Sequence, residues 1–110
     1  MSGFIEIHWT SGSLDEARRV ARYLVQERYV ANAQIIPWLE SIYLWNGALE
    51  TDQESKILFK TRADLFERVK EVIIQNSKFA VPEITHFKID GGNKEFLDWM
   101  NESLLKAETV

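Results

Sequence analysis

Residues 39–54 read LESIYLWNGALETDQE, and the Asn46-Gly47 pair at their centre decides the fold. A type I′ turn needs positive φ at both central residues, and Asn-Gly adopts this at little steric cost. Tyr43, Leu44 and Trp45 before the pair and Ala48 and Leu49 after it suit extended backbone. The stretch therefore reads as two long antiparallel strands joined by a two-residue loop. A tight turn sets Trp45 opposite Ala48 and Tyr43 opposite Glu50. An isolated two-stranded ribbon is marginal in water, so this one needs something to pack on.

Working outward, the strand before the turn begins near Ala33 and contains Pro37. Proline has no N–H to give a ladder, so this strand is an edge or is bulged there. The strand after the turn runs from Ala48 to about Lys60, with its densest apolar run at Ile57, Leu58 and Phe59. Upstream, Phe4 to Trp9 alternates as a half-buried strand, Ile5, Ile7 and Trp9 on the core side. Ser13 and Glu16 have capping-box spacing, and Leu14, Ala17, Val20, Ala21, Leu24 and Val25 continue as a helix that should end near Tyr29. Thr61 and Asp64 repeat the capping logic before a second helix carrying Leu65, Phe66, Val69, Val72 and Ile73 and ending near Asn76. After Pro82, Ile84 to Ile89 forms a fourth strand, with Phe87 and Ile89 expected to face the helices. Gly91-Gly92 then breaks the chain, and Asn93 opens a short third helix with Phe96, Leu97, Met100 and Leu104 on one side.

The order β-α-β-β-α-β plus a short helix predicts an α+β ferredoxin-like plait, an antiparallel sheet with helices on one face. A chain of 110 residues is one domain over residues 1–110. Its net charge of −4 argues against nucleic acid, whose phosphates need a basic face. It has no cysteine, which excludes disulfides and thiolate sites. The opening residues suit neither a signal peptide nor a membrane span, so a cytoplasmic setting is expected. No G-x-S-x-G turn or cysteine nucleophile is present, so no enzymatic activity is expected.

The sheet face away from the helices is mixed rather than polar: Phe4, Glu6 and His8 on the first strand, Lys56, Leu58 and Lys60 on the third. The hairpin adds Ile42, Tyr43, Leu44, Trp45 and Leu49. A strand of a dozen residues spans roughly 40 Å, longer than the body of a domain this size. The arm should pack on another copy, and a homo-oligomer is expected. Among the four tryptophans, Trp9 and Trp99 are read as core, Trp38 and Trp45 as subunit contacts. His8 and His86 are the only histidines. Both are placed in the face-away phase, either as Zn²⁺ or Cu²⁺ ligands with Glu6 or as hydrogen-bonded residues at a subunit contact. Glu83 is read either as an acid in a cleft between subunits or as a carboxylate taking backbone N–H bonds. Lys56 and Lys60 either pair with Glu54 and a neighbour's carboxylates or contact an anion.

Ser41, Tyr43, Trp45 and Gly47 at the turn, Glu54, Lys60 and Thr61 on the next strand, and Thr10, Ala17 and Ile35-Ile36-Pro37 upstream form a pattern. With Val81-Pro82-Glu83-Ile84 and Phe96-Leu97-Asp98-Trp99, it resembles the CutA family of divalent-cation tolerance proteins from about Phe4 to Leu104. The resemblance implies a ferredoxin-like homotrimer whose hairpins extend onto neighbours, with a role in tolerance of copper and other divalent ions. It also implies metal ligands at positions held here by Trp9, Asn76 and Glu83, of which only the carboxylate is a ligand. The expectation is a non-enzymatic trimer without nucleic-acid or membrane partners. A divalent metal, Cu or Zn, is the expected cofactor, with Glu83, His8 and His86 as candidate ligands. Tyr43, Trp45, Lys60 and Trp38 are expected at the intersubunit cleft and interface. The alternative is a PII-like signalling trimer that binds a nucleotide or other small anion between subunits.

Overall fold

The computed structural model describes residues 3–107. Strand β1 spans Phe4–Ser11, helix α1 Leu14–Gln26, β2 Asn32–Trp45 and β3 Ala48–Arg62. A 3₁₀ turn at Ala63–Leu65 leads into α2, Phe66–Asn76, followed by β4, Ile84–Lys88, and α3, Lys94–Ser103. The four strands form one antiparallel sheet in the order β2-β3-β1-β4, so β2 and β4 are its edges.

Helix α1 begins as its sequence predicts, the Ser13 hydroxyl accepting the Glu16 N–H at 3.2 Å. The Glu16 carboxylate does not complete the reciprocal box; it accepts the Ser11 hydroxyl at 2.7 Å instead. The helix stops before Tyr29. Arg28 adopts φ 63°, while the Arg28 and Tyr29 N–H groups donate to Val25 and Leu24 carbonyls at 3.1 and 3.0 Å. This is a Schellman ending with arginine where glycine usually sits, so no glycine marks the stop. Thr61 does not cap α2. It stays in β3, buried, and its hydroxyl donates to the Tyr29 carbonyl at 2.6 Å.

Helices α1 and α2 cover one sheet face. Ile5, Ile7, Trp9, Ile57 and Phe59 meet Ala17, Val20, Leu24, Val69 and Ile73 there, all buried, and Trp9 stacks on Phe59 with ring centroids 6.4 Å apart. A smaller cluster at the sheet's other end holds Ala31, Met100 and Leu104 against Phe4, Phe96 and Leu97. Trp99 lies on the outer side of α3, 45% exposed, which corrects its assignment to the core: the helix buries Met100 and half-buries Phe96 and Leu97 instead.

Strand β4 is also out of phase with its sequence reading. Ile84 pairs with Trp9 and His86 with Ile7, so both share the helix-covered face, whereas Phe87 pairs with Glu6 on the other. The alternating apolar pair Phe87 and Ile89 misled the phase. Ile84, two residues after Pro82, fixes it by packing on the core.

The hairpin has the expected turn, with φ 52° at Asn46 and 79° at Gly47. Tyr43 opposes Glu50, and Trp45 opposes Ala48. Between the Ile36–Lys56 and Leu39–Glu54 pairs the register shifts, so Pro37 and Trp38 together face Ser55. The Ser55 hydroxyl donates to the Pro37 carbonyl at 2.6 Å. The molecule measures 48 × 26 × 23 Å, with a radius of gyration of 15.0 Å. A compact chain of this length would have roughly 13 Å. The excess is the projecting arm.

Candidate functional site

Two features occupy the face not covered by α1 and α2. The first is a pair of polar clusters on the sheet. Glu6 accepts from His8 Nε2 at 2.8 Å and meets Lys60 Nζ at 3.3 Å, and Lys60 also donates to Gln34 at 2.9 Å. Nearer the arm, Glu83 accepts the Thr10 hydroxyl at 2.5 Å and the Thr85 hydroxyl at 3.3 Å, and pairs with Lys56 at 3.5 Å. Burial alone would raise both carboxyls. For Glu6 the His8 and Lys60 contacts outweigh it, and for Glu83 the Thr10 bond and the Lys56 charge do; both end below the usual range. Glu83 is thus held by side chains rather than by backbone N–H groups, and both lysines find carboxylates within the chain.

The second feature is a groove of about 480 Å³ between the arm and the link before β4. Tyr43, Trp45, Phe79 and Val81 supply apolar walls; Glu50, Asp52 and Glu54 supply carboxylates. Alternate residues on β3 share a face, and Tyr43 opposes Glu50, so ring and acids stand together. The Tyr43 hydroxyl donates to Asp52. That bond, reinforced by the surrounding acids, pushes the phenol up to about 12.

The arrangement revises the expected site. Tyr43 and Trp45 do line one groove, and Glu83 stands two residues beyond its Val81 wall, outside the lining. Lys60 lies elsewhere, six residues down β3 from Glu54, opposite Glu6. His8 and His86 do not share a face: the β4 phase puts His86 against Phe66, centroids 4.4 Å apart, while His8 meets Phe87 at 4.8 Å on the other side. Trp38 is 65% exposed at the bulge. The acids at 50, 52 and 54 were missed, although their alternation was a visible signal; Phe79 joins from a distant link and left none.

Among the described residues, no three His, Asp or Glu side chains converge closely enough to hold an ion. Trp9 is wholly buried and offers no donor of metal-ligand type. Within one chain Glu83, His8 and His86 do not fit a Cu or Zn centre. No described helix is long and apolar enough to cross a membrane.

The family profile described as CutA1 divalent ion tolerance protein matches residues 5–103. The divalent-cation tolerance protein CutA of Thermus thermophilus is 42% identical over 94 residues, covering 86% of this chain and 91% of that protein. The chloroplastic protein CutA 1 of Oryza sativa is 32% identical over 99 residues, 90% of this chain but 56% of the rice protein's length. The crystal structure of CutA1 from Oryza sativa superposes with a TM-score of 0.91 at 30% identity, covering 96% of this chain and 98% of that one.

Proposed function

Because this chain belongs to the family of CutA1 divalent ion tolerance proteins, we propose that it acts in divalent-ion tolerance, copper included, as a non-enzymatic homotrimer. Its binding or regulatory role belongs to clefts between subunits. The exposed arm carries this reading. Ile42, Leu44 and Leu49 on one face of the arm and Trp45 on the other are 57–71% exposed, and soluble monomers rarely leave so much clustered apolar surface uncovered. Two unpaired sheet edges, β2 and β4, give further surface for association. The groove of Tyr43, Trp45 and the three acids would be closed by a neighbour's surface.

Copper or zinc enters this proposal as the ion tolerated rather than as a resident centre, because the side chains of one chain do not converge. Glu83, His8 and His86 contribute only where a second copy completes the set. Light scattering of the purified chain should give three times its 12.8 kDa mass; a stable particle of one chain overturns the trimer. Calorimetric titration with Cu²⁺, Zn²⁺ and ATP tests the role. Metal heat lost in Glu83→Ala, His8→Ala or His86→Ala supports it. Nucleotide binding without metal binding favours the PII-like alternative, and no heat from either ligand argues for a purely structural assembly.

A further inference from the structure

A different surface, on the helix side, carries charge that the fold itself does not use. Arg18, Arg19 and Arg22 lie within five residues on the exposed side of α1. None makes an ion pair or side-chain hydrogen bond among the described residues, in a chain whose acids exceed its Lys and Arg by 17 to 13. Elsewhere Lys56, Lys60, Arg62, Arg68, Lys70 and Lys94 have carboxylate partners, whereas Arg28, Lys78, Lys88 and Lys106 form no ion pair among the described residues and are scattered singly along the chain. Asp15, three residues before Arg18, lines the outer flank of the same patch without pairing to it.

Beside these arginines, α1 and the edge strand β2 enclose a groove of about 410 Å³. Its apolar surface comes from Ala21, Val25, Ala33 and Ile35, and Arg18 and Arg22 stand on its rim. Arg18 and Arg22 are four residues apart, so their side chains leave the helix one above the other. Two guanidinium forks at that spacing match the geometry of one carboxylate or phosphate group. The volume falls within the range of small-molecule pockets, and the mix of apolar wall and few polar anchors is typical of them.

We propose that the α1–β2 groove binds a small amphipathic organic anion. Its carboxylate or phosphate head lies between Arg18 and Arg22, and its alkyl or aryl body rests on Ala21, Val25, Ala33 and Ile35. Unpaired positive charge in an acidic chain supplies the attraction, and the adjoining apolar floor supplies the preference for an organic over an inorganic anion. The site stands apart from the arm groove, whose carboxylates would repel such a ligand.

The test is an amide-shift titration of the isotope-labelled full chain with 1-naphthoate, 1-naphthyl phosphate and inorganic phosphate in parallel. Saturable shifts confined to α1 and residues 33–35, weakening as salt rises, are expected for the two aryl anions. The comparison between them tells whether the head is carboxylate or phosphate. The exposed double variant Arg18→Gln/Arg22→Gln should weaken both by about tenfold or more, the scale of losing hydrogen bonds to a charged group. Val25→Ser should weaken the aryl anions and leave inorganic phosphate unaffected. The proposal is overturned if no shifts appear at millimolar ligand, if they centre on the arm, or if the double variant binds unchanged. It is equally overturned if inorganic phosphate binds as tightly as its naphthyl ester, because the apolar floor then plays no part.

Discussion

Replacing Trp45 by alanine tests whether the arm is an assembly device. The indole is 57% exposed, so of roughly 250 Å² of tryptophan surface about 140 Å² is free to be covered by another copy. At ~25 cal/mol per Å² that surface is worth about 3.5 kcal/mol. Alanine keeps part of it and interfaces bury imperfectly, leaving about 2 kcal/mol or more per arm, the scale of an aromatic anchor. A trimer holds three such arms, so its overall association constant should fall by about 6 kcal/mol, on the order of ten-thousand-fold. Light scattering across a concentration series reads this directly. Far-UV circular dichroism should stay unchanged, because Trp45 lies outside both buried clusters. Ile74→Ala serves as the control: Ile74 is also more than half exposed but sits on α2. Assembly of Trp45→Ala indistinguishable from the wild type, or an equal loss in Ile74→Ala, would refute the reasoning.

Phe59→Ala should destabilise the fold by about 3–5 kcal/mol in urea unfolding, since Phe59 is fully buried and stacked on Trp9. Acid unfolding should depend on Glu6 and Glu83. Both carboxyls sit below their ordinary 4.5 in the folded chain, so their contribution is complete above that pH and disappears as pH falls through the lowered values. A Glu6→Gln/Glu83→Gln variant should therefore show a flatter acid limb; an unchanged limb would disprove their role. Ultraviolet titration should find one phenol ionising at about 12, and Asp52→Asn should return it toward the usual value of 10.0. Deleting Trp38 removes the extra bulge residue and joins the base and tip pairings in one unbroken ladder, so Tyr43 should still oppose Glu50 while the cross-peaks around Pro37 and Ser55 move. A variant in which Tyr43 no longer opposes Glu50 would disprove this account of the bulge.

Local signals in the sequence carried most of the topology. Asn46-Gly47 placed the turn, and with it the Tyr43–Glu50 and Trp45–Ala48 pairs. Pro37 placed the bulge, and Ser13 the start of α1. Where the reading failed, competing long-range contacts decided the outcome. Arg28 takes a left-handed conformation that no glycine announced, because the Leu24 and Val25 carbonyls are satisfied there. Thr61 has the look of a helix cap, yet the Tyr29 carbonyl holds it in β3. Phe87 is apolar and still faces away from α1 and α2, because Ile84 takes the core side two residues after Pro82. That single phase error also joined His8 to His86, which the sheet in fact separates. Of the arm groove, Tyr43 and Trp45 were read from the sequence, while the alternating acids at 50, 52 and 54 left a signal that was missed. Phe79 left none, since nothing local places the link beside the arm.

The bulge explains why an aromatic and acidic groove exists at all. At the base of the hairpin, β2 and β3 pair so that Ile35 opposes Ile57 on the core side and Gln34 opposes Leu58 on the other. At the tip, the turn demands that Tyr43 oppose Glu50. The two pairings differ by one residue, and a one-residue slip carries every side chain to the opposite face. Had the core's register continued outward, Tyr43 and Trp45 would have stood with Leu49 and Thr51, away from the acids. Had the turn's register continued inward, Ile35 would have left the core. Pro37 and Trp38 absorb the difference, and proline is suited to the place because it has no N–H to leave unpaired. The core therefore governs the base of the ribbon and the turn governs its tip, and each keeps the face its side chains require. A residue that looks like a flaw in an edge strand is what lets Tyr43 and Trp45 stand beside Glu50, Asp52 and Glu54.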